Sequence, residues 1–181
     1  ALAALLFRRT QARLRGLRFR ERDASQISEE TLRRIDICWS AAVGLTPDPI
    51  RAAHFQARHL LLALEAGEPY RVARALAMEV GYTATAGAKA RRRVDYLIGE
   101  AQSLAAKVGH PHAVGLSTGM AGMAEYMRGS WKRGFALLDE GEALLRDRCV
   151  NVFWELDMVQ LFAIECLAYM GEIAEVCRRV P

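Results

Sequence analysis

The stretch Arg58-His59-Leu60-Leu61-Leu62-Ala63-Leu64-Glu65-Ala66-Gly67-Glu68-Pro69-Tyr70-Arg71-Val72-Ala73-Arg74-Ala75-Leu76-Ala77 decides the fold. It reads as a helix, a tight break and a second helix folded back on the first. Gly67 lacks a Cβ and so enters the left-handed conformation that ends a helix at little cost. Pro69 suits a first helical position, where its missing N–H is not needed. Leu60, Leu61 and Leu64 then face Val72, Ala73 and Leu76 across the break. We expect an all-α protein built from such antiparallel hairpins, with about eight helices and no strand.

Outward from this hairpin, the composition supports one helical domain over residues 1–181. The chain is 52% hydrophobic, enough to bury a core, and its five prolines and few β-branched runs argue against a sheet. It opens without methionine and stops inside an unfinished helix, so we read it as a segment of something longer. Cys38, Cys149, Cys166 and Cys177 form no CxxC pair and read as mostly buried thiols suited to a reducing cytoplasm. No signal peptide is legible. The most apolar run, Met158 to Met170, holds Gln160 and Glu165 and falls short of the roughly 20 residues a membrane span needs.

The net charge of +4 is unevenly placed. Residues 1–22 carry seven arginines against Glu21, or +6, while the other 18 basic and 20 acidic residues sum to −2. Residues 2–22 read as one helix with Leu6, Thr10, Leu14 and Leu17 on one side and a basic stripe of Arg8, Arg15, Arg18 and Arg22 on another. Three roles compete for that stripe. The plainest is a packed helix whose arginine stems cover apolar neighbours while their heads reach water. The others are a nucleic-acid arm and a membrane-surface helix. With only Phe7 and Phe19 interleaved, we favour the first.

Further along, Ser28 reads as an N-cap with Glu29 and Glu30 in the first turn, and Leu32, Ile35, Trp39 and Ala42 or Val43 form an apolar stripe ending at Gly44. Asp48-Pro49 opens the helix that runs to Ala66, and Pro69 opens the next. The signal weakens between Gly81 and Gly87. Helices then follow over 89–108, 111–128, 131–146 and from about Asn151 to Met170, with a last one beginning at Glu172. The breaks at Gly67, Gly129 and Gly171 lie 62 and 42 residues apart. A strict tetratricopeptide array repeats about every 34. The expected architecture is therefore tetratricopeptide-like, a right-handed solenoid with an irregular period.

Catalytic constellations are hard to find. Gly115, Gly119 and Gly122 share one helix, and each costs about 1 kcal/mol against alanine. Close approach by a neighbouring helix explains them better than a phosphate loop, because no GxGxxG or GK[ST] is present. His54 and His59 lie about 140° apart on a helix, and His110 and His112 flank Pro111 at a helix start, so no metal site is expected. Glu155 and Asp157 point about 200° apart, unsuited to a carboxylate pair. We expect no catalytic residue and no cofactor. Trp39, Trp131 and Trp154 read as core residues, though an aromatic in a groove can anchor a peptide.

Several segments carry a family resemblance: Arg58 to Ala77, Arg18-Phe19-Arg20-Glu21-Arg22-Asp23, Arg34-Ile35-Asp36-Ile37-Cys38-Trp39 and Trp154-Glu155-Leu156-Asp157. Together they resemble the C-terminal region of large bacterial serine/threonine protein kinases of the eukaryotic-like type. There a kinase domain precedes an ATPase-like section and a tetratricopeptide-like helical region. The resemblance covers only that helical region. It implies a regulatory or scaffolding module whose partner is a protein or peptide, including the parent's own kinase domain. It supplies no catalytic residue, since no Gly-rich loop, VAIK-type lysine, HRD-type loop or DFG occurs. The alternative is a nucleic-acid-responsive domain working through the N-terminal arginines.

Overall fold

The computed structural model describes residues 2–180. Nine α-helices form among them, and no strand: α1 Leu2–Arg15, α2 Glu29–Gly44, α3 Pro49–Ala66, α4 Pro69–Ala84, α5 Arg91–Val108, α6 Pro111–Met127, α7 Trp131–Arg148, α8 Phe153–Met170 and α9 Ile173–Arg179. Short 3-10 turns occupy Ala24–Gln26 and Gly87–Ala90.

Local chemistry sets most of the boundaries. The Ser28 hydroxyl accepts from Thr31 N–H (3.3 Å), and Asp48 accepts from Arg51 N–H (3.1 Å) with Pro49 following as the first helical residue. Two caps lie outside the usual Ser/Thr/Asp/Asn set. Glu68 accepts from the N–H groups of Tyr70 and Arg71 (3.0 and 2.9 Å), and the His110 ring accepts from His112 N–H (3.2 Å). The helix expected to be capped at or near Asn151 begins at Phe153, with Val152 as its cap residue and Asn151 at φ 59°.

Gly67 is needed for two reasons. It sits at φ 81°, and a Cβ there would run into the Arg20 carbonyl oxygen. That close approach reveals the main departure from expectation. Residues 2–22 are not one helix: α1 stops at Arg15, Gly16 turns left-handed, and the chain runs without helix past Gly67, where Arg22 N–H donates to the Gly67 carbonyl (3.0 Å). Burial in this region departs from the leucine face expected. Ala12 and Leu17 are buried, whereas Leu6 and Leu14 are exposed.

Each helix from α2 to α8 packs on its successor, α1 lies against α3, and alternate helices also meet, α4 with α6 and α6 with α8. Nine helices form among the described residues where about eight were expected, and the last, α9, is the one expected to begin at Glu172. Helix α6 is buried almost all round, and its glycines explain how. A Cβ on Gly141 of α7 would come within 2.9 Å of Gly119 N and 3.1 Å of the Gly115 carbonyl oxygen. One on Gly134 would meet Tyr126 N at 3.1 Å and the Gly122 carbonyl at 3.2 Å. The two backbones therefore touch along a seam of small residues, and Val159 of α8 closes on Gly119 from another side. The predicted close approach is observed.

This seam predicts opposite outcomes for two glycine-to-alanine changes. At Gly122 the new methyl would lie 2.7 Å from Leu138 Cγ and 2.9 Å from Leu138 N. Overpacking against backbone should cost about 1–3 kcal/mol. Gly99, exposed in α5 with nothing within 4 Å, should gain up to about 1 kcal/mol. Chemical denaturation measures both, and a neutral Gly122→Ala would contradict the seam.

Candidate functional site

The sequence places its buried polar residues singly, but the fold brings them into one row. Asp36 of α2 accepts from Arg71 (3.0 and 2.6 Å) and from Arg74 (2.6 Å) of α4. Tyr70, on α4, hydrogen-bonds through its hydroxyl to His112 Nδ1 of α6 (3.0 Å), and His112 Nε2 bonds Glu155 of α8 (2.8 Å). The Arg74 guanidinium lies over the rings of Trp39 (4.9 Å) and Tyr70 (5.6 Å). Trp39 also meets Trp154 and His112 edge-on, at 6.0 and 6.2 Å between centroids. Alternate helices α2, α4, α6 and α8 are thus joined by one polar and aromatic seam.

Burial makes the seam costly to break. Arg74 is 7% exposed, His112 7% and Glu155 6%. A buried charge left without its partner costs several kcal/mol. Burial opposes ionisation of Asp36, but the hydrogen bonds and charges of Arg71 and Arg74 prevail and hold its pKa below 3.8. Burial pushes the Tyr70 hydroxyl up. Chemically the row is a clamp. Both His112 nitrogens are engaged, Nδ1 with the Tyr70 hydroxyl and Nε2 with Glu155.

A second chain crosses the same core. Gln56 Nε2 donates to the Ala75 carbonyl (3.0 Å) and toward Glu79 (3.5 Å), and Glu79 also pairs with Arg9 of α1. Gln56 must then offer its oxygen to His59 Nδ1 (3.2 Å), which fixes the imidazole as the Nδ1–H tautomer. His59 Nε2 is buried without a partner.

The N-terminal arginines are redistributed by the early end of α1, so Arg8, Arg15, Arg18 and Arg22 form no single stripe. Arg15 donates to the Leu64 carbonyl (2.9 Å), and Arg22 donates to the carbonyls of Ala66 (2.8 Å) and Glu65 (2.7 Å). Both cap the last carbonyls of α3, where a helix dipole favours cations. Arg8 bonds Gln11, and Arg18 is exposed. Cys38 and Cys166 are buried, Cys149 is half-buried and Cys177 is exposed, all as free thiols. Among the described residues, no group of three His, Cys, Asp or Glu side chains is placed to hold a metal, and no helix is long and apolar enough to cross a membrane.

The open surface of interest is a groove of about 370 Å³ across α4, α6 and α8, reaching the start of α3. The buried Met78, Met120 and Met158 and the half-buried Met123 line it together with the exposed Leu161 and Asp157. Asp157 is its single charged residue. Methionine is unbranched and polarisable, and surfaces rich in it repack around varied apolar ligands. Periodicity alone could not find this groove, because its methionines come from three helices and each reads as core. No known family model, curated protein or solved structure matches this chain.

Wholly buried His59 carries a pH signature. Burial, with the Arg74 and Arg71 charges, holds its pKa well below 6.5. As pH falls below 6.5 the unfolded chain takes up this proton before the folded one does. Stability should therefore drop by up to about 1.4 kcal/mol per pH unit until folded His59 protonates. His54 and His110 are also held low, mainly by burial, and add in the same direction, while Asp36 acts only below 3.8. Urea titrations at pH 7.5 and 5.5 should show a smaller loss for His59→Gln than for wild type, and equal losses would exclude this role.

Proposed function

We infer that the chain is a non-catalytic regulatory or scaffolding module that binds protein. In this reading it is a right-handed tetratricopeptide-like solenoid within a multidomain bacterial serine/threonine protein kinase, acting in the cytoplasm. The methionine groove carries the reading. It is apolar, crosses three helices, and sets one unpaired carboxylate, Asp157, among methyl and aromatic groups. Its occupant by charge complementarity is an amphipathic protein segment that buries apolar side chains and turns a lysine or arginine to Asp157.

Two further observations support the solenoid. Each helix from α2 to α8 packs on its successor while α4, α6 and α8 also contact their alternates, as stacked hairpins require. The accessible surface is 9979 Å², against about 8,700 Å² for a compact globule of this mass. An elongated stack has that excess. The kinase association rests on the sequence resemblance, whose residues include the seam members Asp36, Trp39, Tyr70, Arg71, Arg74 and Glu155. The nucleic-acid alternative is weaker, because Arg15 and Arg22 are turned onto α3 carbonyls.

Methyl NMR of methionine-labelled protein tests the groove. Titration with an amphipathic leucine–lysine peptide should shift the methyl signals of Met78, Met120, Met123 and Met158, and a leucine–glutamate peptide should shift them less. Asp157→Lys should weaken the basic peptide by about tenfold, near 1.4 kcal/mol. Shifts that ignore peptide charge, or no shifts, would overturn the reading.

A further inference from the structure

A cleft of about 310 Å³ opens beside α3 and is lined by Arg8 and Arg15 of α1, Arg34 of α2, and Arg58, Leu61 and Glu65 of α3. Several arginines elsewhere are met by carboxylates, among them Arg9 by Glu79 and Arg74 by Asp36. Among the described residues none of the four in the cleft pairs with a carboxylate, and three are met by neutral groups. Arg8 donates to the Gln11 side-chain oxygen (2.9 Å), and Arg15 donates to the carbonyls of Gly16, Arg18 and Leu64 (3.2, 3.1 and 2.9 Å). Arg58 lies over the Phe55 ring at 5.7 Å. Arg34 makes no hydrogen bond or ion pair among the described residues. Neutral partners orient a guanidinium without cancelling its charge, so these groups converge with their field intact. That field reaches His54, whose pKa is held low chiefly by burial and further by the Arg58 and Arg8 charges.

We propose that this cleft binds a phosphoryl dianion. Its volume falls at the small end of the range for ligand pockets, about 300–1,000 Å³, suited to one phosphoryl group and the atoms that carry it. Guanidinium forks match phosphate oxygens in pairs, and several around one anion give the arrangement that recognises phosphorylated side chains. An extended nucleic acid fits less well. The basic residues do not continue as a stripe beyond Arg15, Arg22 is committed to α3 carbonyls, and Glu65 in the lining would repel a run of phosphates. Arg15 caps α3 and positions the wall. Among the described residues Arg34 and Arg58 have no carboxylate partner, and neither belongs to the N-terminal arginine cluster.

Calorimetry at low salt decides, using pyrophosphate, a phosphoserine peptide, its unphosphorylated twin and a single-stranded oligonucleotide. The expected result is saturable one-to-one binding of pyrophosphate or the phosphopeptide, weakened at least about tenfold by Arg34→Gln/Arg58→Gln. The tighter of the two probes tells a free phosphate from a phosphorylated protein. Glu65→Gln removes the only carboxylate in the lining and should tighten binding severalfold, a gain that misfolding cannot imitate. No binding by either probe, binding indifferent to both the arginine and Glu65 changes, or an oligonucleotide that outcompetes both would each overturn the proposal.

Discussion

The structure depends on a row of hydrogen bonds and guanidinium–ring contacts, buried at Arg74, His112 and Glu155, that runs across, not along, its helices. Asp36, Arg74, Tyr70, His112 and Glu155 come from α2, α4, α6 and α8, and each link joins two of these helices or two neighbours on α4. Apolar packing alone tolerates sliding, because one leucine replaces another at modest cost. A buried guanidinium or carboxylate does not, since a shift of one turn would strand a charge in low dielectric. The row therefore acts as a register pin for the alternate helices. The methionine groove lies on α4, α6 and α8, so the pin also sets the spacing of the surface proposed to bind a partner.

The second constraint is steric. Gly115, Gly119 and Gly122 of α6 meet Gly134 and Gly141 of α7 at backbone contact. This spends roughly 1 kcal/mol of helix propensity per interior glycine. In return α6 reaches the centre of the stack with α4, α5, α7 and α8 all against it. His112, at the N-terminal end of that helix, is thereby held between Tyr70 and Glu155.

What could be read from the sequence follows from distance along the chain. The hairpin at Gly67 and Pro69, the caps at Ser28 and Asp48 and the glycine seam were legible, because each is a local rule about φ, an orphan N–H or a missing Cβ. His112 and Glu155 lie 43 residues apart, and no local pattern pairs them. Trp39 was expected in the core; it is half-buried, with its ring under the Arg74 guanidinium. The arginine-rich start misled for a physical reason: leucine and arginine periodicity pointed to one long helix, but the unpaired carbonyls at the end of α3 draw Arg15 and Arg22 inward. Glu68 and His110 were missed as caps because neither belongs to the residue types that usually serve.

A double-mutant cycle on the seam is the most direct measurement. Tyr70→Phe and Glu155→Leu each remove one bond to His112, and the two side chains are linked through that ring. A row acting as one unit predicts an interaction energy in unfolding free energy of about 0.5–3 kcal/mol. Losses that add to within about 0.5 kcal/mol would mean the row is a set of independent bonds that pins nothing.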